Sequence, residues 1–194
     1  MKSSLITILV LLSLLMACID QSSIQRGDYF SIDSLVNAQV AQLAAGNFVL
    51  EKTASLNGVQ EHSSTSLDSA GWARELDIIR RADINKPAYS NAFKISISDD
   101  LNSNLKLKTY QLQNDLPVKS LKIYYLNDVN EIRRIRASIE EETRVFVNDK
   151  EILLEFDIIN NQLLLKKYLI EGKQKMILGD STYYRIAGEI ISSQ

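Results

Sequence analysis

Among 194 residues there is one cysteine, one histidine, one tryptophan and two prolines, and the seven glycines are scattered rather than clustered. A lone cysteine forms no intramolecular disulfide, so the fold has to rest on its apolar core. One imidazole and one thiol fall short of the ligand sets that zinc and redox metals use. No Gly-x-Ser-x-Gly elbow, phosphate-cradling loop or dinucleotide fingerprint occurs. A dominant charge is missing too: 22 Lys+Arg stand against 24 Asp+Glu, which gives no field for a nucleic-acid backbone. The sequence therefore offers no catalytic residue, no cofactor-binding residue and no metal ligand set, and it points away from an enzyme and from nucleic acid as a partner.

What it does contain is an address. Lys2 supplies one positive charge, residues 5–15 form an apolar run, and Leu15-Met16-Ala17 brings a small residue up to Cys18. A hydrocarbon core of about 30 Å needs about 20 apolar helical residues, and the run falls short of that. The pattern resembles the lipobox of bacterial lipoproteins. The resemblance implies that residues 1–17 are a signal peptide, that Cys18 is acylated and becomes the mature N-terminus, and that its acyl chains hold the protein on a membrane. Two or more chains anchor stably, at about 0.8 kcal/mol per buried methylene. Removing 17 of the 194 residues leaves 177, with 21 Lys+Arg against 24 Asp+Glu, enough for one domain with its own core. With the thiol acylated, cysteine catalysis is also gone, a composition compatible with an oxidising periplasm.

Residues 18–28 are short and polar and read as a lipidated tether; residues 29–194 read as a single domain. Ile32, Val36, Val40 and Leu43 fall at helical spacing and predict a helix over 31–45, with Gly46 in the left-handed position after its end. Residues 48–56 alternate, and Asn57-Gly58 predicts a type I′ hairpin whose return strand, 59–66, is polar enough to be an edge. A second helix is expected over 69–82, capped by Asp68 or Ser69, burying Trp72, Leu76 and Ile79 and ended by the segment leading to Pro87. Strand candidates then follow at 93–98, 105–112, 118–126, 131–139, 143–147, 152–158, 162–170, 175–178 and 183–191, with Asn148-Asp149-Lys150 and Asn160-Asn161 read as turns. Connections this short favour antiparallel neighbours. The expected class is α+β: two helices packed on an antiparallel, meander-type curved sheet of roughly eight to eleven strands.

Ile152, Leu154, Phe156 and Ile158 share one strand face while Leu153 takes the other. Leu163, Leu165 and Leu169 likewise alternate against Leu164, Tyr168 and Ile170. Strands apolar on both faces must cover something on each: helices on the second face, or the interior of a half-barrel that holds a lipid or another amphiphile. His62, beside Glu61 in the return strand, reads as a solvated side chain. Asp99-Asp100 and Glu140-Glu141-Glu142 read as acids in solvated turns, with calcium binding or glycosidase-like acid/base work as the functional alternative. Arg133, Arg134, Arg136 and Arg144 form a basic patch, paired by default with Glu131, Glu140 and Glu142; an anionic lipid headgroup is the other reading. Tyr124-Tyr125 and Tyr183-Tyr184 put one ring on each face of their strands.

Asp28-Tyr29-Phe30, Lys52 with Leu56-Asn57-Gly58, Trp72-Ala73-Arg74-Glu75-Leu76 and residues 83–88 together resemble a family of uncharacterised lipoproteins from the Bacteroidota. That likeness implies a cell-envelope setting and no catalytic residues. The single acid after Cys18, Asp20, leans towards the periplasmic side of the outer membrane, because surface-exported lipoproteins of that phylum tend to carry an acidic cluster there. The order of helix, hairpin and many strands is similar in architecture to half-barrel lipoprotein carriers and receptors. The expected function is a lipid-anchored envelope protein whose domain is a structural or protein-interaction module, with the membrane as one partner and another envelope protein or a lipid as the second.

Overall fold

In a computed structural model of the chain, residues 29–129, 131–159 and 161–192 are described; the expected signal peptide 1–17, the expected lipidation site Cys18 and the expected tether 18–28 lie outside the described residues. The first helix, α1 (Ile32–Ala45), starts where the Ser31 hydroxyl accepts the Ser34 amide. Its foremost amide, that of Ile32, is taken by the buried Asp83 carboxylate at 2.8 Å, so a residue 51 positions away completes the cap. Ile32, Val36 and Leu43 are buried as their spacing predicts. Gly46 departs from expectation: its backbone is extended rather than left-handed. It is glycine for a different reason, since a methyl group there would run into the Phe48 ring.

β1 (Phe48–Leu56) and β2 (Val59–Ser66) form the expected hairpin. Asn57 and Gly58 have φ of 49° and 89°, the paired positive values of a type I′ turn. Asp68 caps α2 (Ser69–Leu76) by accepting the Gly71 amide at 2.7 Å. The helical path then tightens to 3₁₀ over Asp77–Ala82, which still carries Ile79 into the core alongside Trp72 and Leu76. It ends at Ala82, five residues before Pro87. That proline opens a short 3₁₀ turn, Pro87–Tyr89, after an extended Lys86, the conformation a following proline imposes.

Seven strands follow: β3 (Phe93–Asp99), β4 (Lys106–Leu112), β5 (Val118–Tyr125), β6 (Ile132–Glu142), β7 (Phe146–Ile159), β8 (Gln162–Met176) and β9 (Ser181–Ser192). All neighbours are antiparallel, and the nine strands form one open sheet in the order β2-β1-β9-β8-β7-β6-β5-β4-β3. Two expected boundaries disappear. Asn148-Asp149-Lys150 lies inside β7 rather than in a turn, and 162–170 and 175–178 merge into β8, which ends at Met176. Glu140, Glu141 and Glu142 likewise belong to β6, not to a turn. The fold is α+β, with two helices on one face of a curved, unclosed meander.

The apolar pattern of β8 has a mechanical origin. Glu155 pairs with Lys167 but Phe156 pairs with Leu165, leaving Lys166 as an extra residue in a β-bulge. A bulge reverses the inside–outside alternation. Leu165 and Tyr168, three apart, therefore join the same core under the helices. β9 pairs with β8 only from Lys167 onward, so before the bulge the β8 backbone has β7 on one side and no strand on the other. The buried side chain of Gln39 fills that role: its amide donates to the Leu163 carbonyl at 2.9 Å and its oxygen accepts the Leu165 amide at 2.7 Å.

Two stability outcomes follow. Trp72 is fully buried, so Trp72→Ala should lower unfolding free energy by about 3–5 kcal/mol in denaturant titrations. Gly58 has nothing within 4 Å of where a Cβ would stand, so the loss of melting temperature expected for Gly58→Val is purely conformational. An unchanged midpoint in either variant would contradict the assignment.

Candidate functional site

Because both helices pack on one face, every second residue of β1 and β5–β9 points to the other. The registers stack these residues in rows. Arg136, Leu153, Leu169, Ala187, Thr53 and His62 follow one another across β6, β7, β8, β9, β1 and β2. On one side of this row run Arg134, Glu155, Lys167, Glu189, Glu51 and Ser64; on the other run Ser138, Glu151, Glu171, Arg185 and Ser55. The sheet is curved enough that this helix-free face holds two adjoining troughs. One, of about 560 Å³, is bounded by Ser138, Glu151, Glu171, Lys173, Tyr183 and Arg185. The other, of about 360 Å³, has Leu153, Leu169 and Ala187 as its floor and His62, Lys167 and Arg185 on its walls.

Charge on this face is mostly cross-paired. Lys167 meets Glu189 at 3.0 Å, Arg185 meets Glu171 at 3.5 Å and Arg134 meets Glu155 at 3.7 Å. Arg133 pairs with Asp157 at 3.7 Å. Arg133 and Arg134 of the basic patch thus pair with acids of β7, and not with Glu131, Glu140 or Glu142. Glu131 instead holds the Asn127 side chain, while Glu140 faces Lys119 and Glu141 faces Arg81 on opposite sides of β6. Arg136 stands directly across from Lys122, a like-charged pair beside Glu151 and Glu171. Arg144 sits in the β6–β7 turn, away from the others.

His62 is exposed, with Nδ1 2.8 Å from the Thr53 hydroxyl, a solvated imidazole on the trough wall. The two tyrosine pairs split as alternation requires. Tyr124 lies under Arg134 and Tyr183 under Lys173, both on the helix-free face. Tyr125 is buried in the core, and Tyr184 donates to Asn148 at 3.0 Å. Asp99 closes β3, and Asp100 accepts from the Ser103 hydroxyl at 2.6 Å, an ordinary turn contact. Among the described residues no three His, Cys, Asp or Glu side chains converge on a metal position.

On the helix side the core is filled, and the space left there is a cleft of about 410 Å³ at the end of α1, lined by Ala41, Ala45, Phe48, Ile159 and Leu164. Tyr168 crosses the layers: its hydroxyl donates to Glu75 of α2, and Glu75 also pairs with Lys52 of β1 at 2.7 Å. Burial, and then the neighbouring Glu75 carboxylate, push the Tyr168 hydroxyl pKa up, so it stays protonated and donating. Gly188 makes room, since a methyl group there would strike the Tyr168 ring. Beyond the helices the same face carries Lys150, which is 7% exposed. Burial pulls its pKa down. Glu141, which would favour its charge, is engaged by Arg81 at 3.6 Å. Lys150 escaped sequence reasoning because the apparent turn around it hid the fact that it faces inward.

Compared with known protein families, curated proteins and solved structures, the chain matches none. The site therefore has to be read from its own geometry. That geometry is a polar, charge-paired double trough with a narrow apolar floor, suited to holding a surface or a segment.

Lys150 supplies a test of the electrostatics. Its folded-state pKa is lowered, so the unfolded chain binds more protons and stability rises as pH climbs toward the lysine range. Lys150→Met should raise the melting temperature at neutral pH and flatten that alkaline rise. A destabilised variant with an unchanged pH profile would show that the ammonium is adequately solvated.

Proposed function

We propose that this protein is a lipid-anchored bacterial cell-envelope protein, held on the periplasmic side of the outer membrane through acylated Cys18, whose domain is a protein-interaction module. The lipobox-like Leu15-Met16-Ala17-Cys18 carries the first half of the reading. The likeness of the residues around the first hairpin and α2 to Bacteroidota lipoproteins belongs with it. The observation that carries the second half is the helix-free face. Arg134, Glu155, Lys167 and Glu189 alternate in charge across β6 to β9, and a trough of about 560 Å³ lies on the same face. Such a surface meets a polar polypeptide by ion pairs at the rim and excludes water over the Leu153–Leu169–Ala187 strip.

The same strip favours one second reading, an amphiphile or lipoprotein ligand lying with its apolar part on Leu153 and Leu169. That strip is narrow and is rimmed by Glu51, Glu155, Lys167, Arg185 and Glu189, which is why the protein partner is preferred.

Cys18→Ser should abolish incorporation of labelled palmitate and leave the signal uncleaved; continued labelling would refute the anchor. A photo-crosslinking residue in place of Leu169, introduced in cells, should give a protein adduct that the same residue at exposed Asn37 on α1 does not. A lipid adduct at Leu169 would transfer the assignment to the amphiphile reading.

A further inference from the structure

Exposed apolar side chains are not spread evenly over the molecule. Registers assign every strand terminus to one of two ends of the sheet. The turns β1–β2, β6–β7 and β8–β9 fall at one end, together with the starts of β3 and β5. Of twelve large hydrophobic residues left exposed among the described residues, seven stand at this end. Leu56 and Val59 flank the first hairpin turn, and Val145 forms the second tip. Met176, Ile177 and Leu178 carry the third, with Tyr183 beside them. Leu178 is 93% exposed, Ile177 64% and Val145 58%. Isolated exposed apolar residues are commonplace, but a row of them on adjacent tips is not.

These tips are also tied to one another. The Ile177 amide donates to the Val145 carbonyl at 3.0 Å. The Asn57 amide donates to the Tyr183 carbonyl, and the Tyr183 amide donates to the Asn57 side chain, both at 2.8 Å. The rim therefore presents its apolar groups on a braced ledge, so little ordering accompanies their burial.

The occupant follows from where the chain joins the domain. Tyr29 packs edge-on against Phe93, the first residue of β3, and against Tyr110, which puts it at the same end. From there 11 residues, 18–28, lead back to Cys18, a reach of at most about 40 Å. We infer that the tips of the β1–β2, β6–β7 and β8–β9 hairpins rest in the interfacial layer of the membrane that Cys18 is anchored in. The inference rests on the lipid-anchor reading of Cys18 and adds an orientation to it. Arg144 and Lys175 accompany Glu142 and Asp180 at this end, so burial of apolar groups, rather than net charge, holds the contact. In that pose the sheet stands on the bilayer, with its troughs open to the side.

The test uses the full acylated chain in vesicles of phosphatidylethanolamine and phosphatidylglycerol. Cys18 is blocked by its lipid, so Leu178→Cys or Leu101→Cys gives a single thiol for an environment-sensitive fluorophore. Leu101 is 99% exposed at the opposite end, in the β3–β4 turn. The expected result is blue-shifted emission from position 178 with loss of intensity in brominated lipid, and water-like, unquenched emission from position 101. Water-like emission at 178, or equal quenching at both positions, overturns the inference. A blue shift at 178 without quenching by brominated lipid overturns it too, in favour of contact between copies of the chain. Acyl mass on Cys18, measured on the same samples, reports separately on the anchor. If no acyl mass is found, the label is placed in a Cys18→Ser background: binding with quenching at 178 then sinks the anchor and keeps the rim, whereas no binding to vesicles sinks both.

Discussion

Gln39 uses its amide and its carbonyl on the backbone of β8 at the place where β9 has not yet arrived. Buried backbone groups need partners, and without this side chain the segment before the bulge would have none on that side. The rest of the layer arrangement depends on it. The bulge at Lys166 sets the phase in which Tyr168 faces the helices. Tyr168 then reaches Glu75, and Glu75 reaches Lys52. Asp83 fastens the amino end of α1. Two polar side chains, one at each end of the sheet, thus fix how α1 lies across a core that apolar contacts alone would leave free to slide.

Covering one face this firmly leaves the other bare. A nine-stranded sheet with two helices cannot bury both sides, and the second side has to be compatible with water. Alternation of Arg, Glu, Lys and Glu across β6 to β9 achieves that through pairs that are individually weak but leave no dominant sign of charge. Leu153, Leu169 and Ala187 interrupt the polarity along one row. The proposed interaction surface is the part of the fold that its own helices do not use.

Local chemistry was legible in the sequence: the Asn57-Gly58 turn, the Asp68 cap, the buried stripe of Trp72, Leu76 and Ile79, and the alternation that identifies most strands. What was hidden has a common cause. β7 and β8 extend beyond the helices, where side chains such as those of Asn148, Lys150, Gly172 and Gln174 need not be apolar, so strand continued where the pattern suggested turn. The bulge disguised a change of phase in β8 as a strand apolar on both faces. Gly46 was read from its place after a helix, whereas the Phe48 ring decides it. The trough was invisible for a different reason. Thr53, Leu153 and Ala187 meet only through a register that no stretch of sequence carries.

β1 and β2 belong to the sheet solely through β9, the last strand. Every other neighbouring pair is consecutive in the chain and can zip up as it emerges. The first hairpin must wait for a partner that, between Asn57 and Tyr183, lies 126 positions later. Closing so large a loop costs little extra free energy, since that term grows only logarithmically with length, but it does cost time. Made amino end first, this domain stays incomplete until β9 has emerged. During that interval the outer edge of β1 is a template for any holding factor that binds extended backbone.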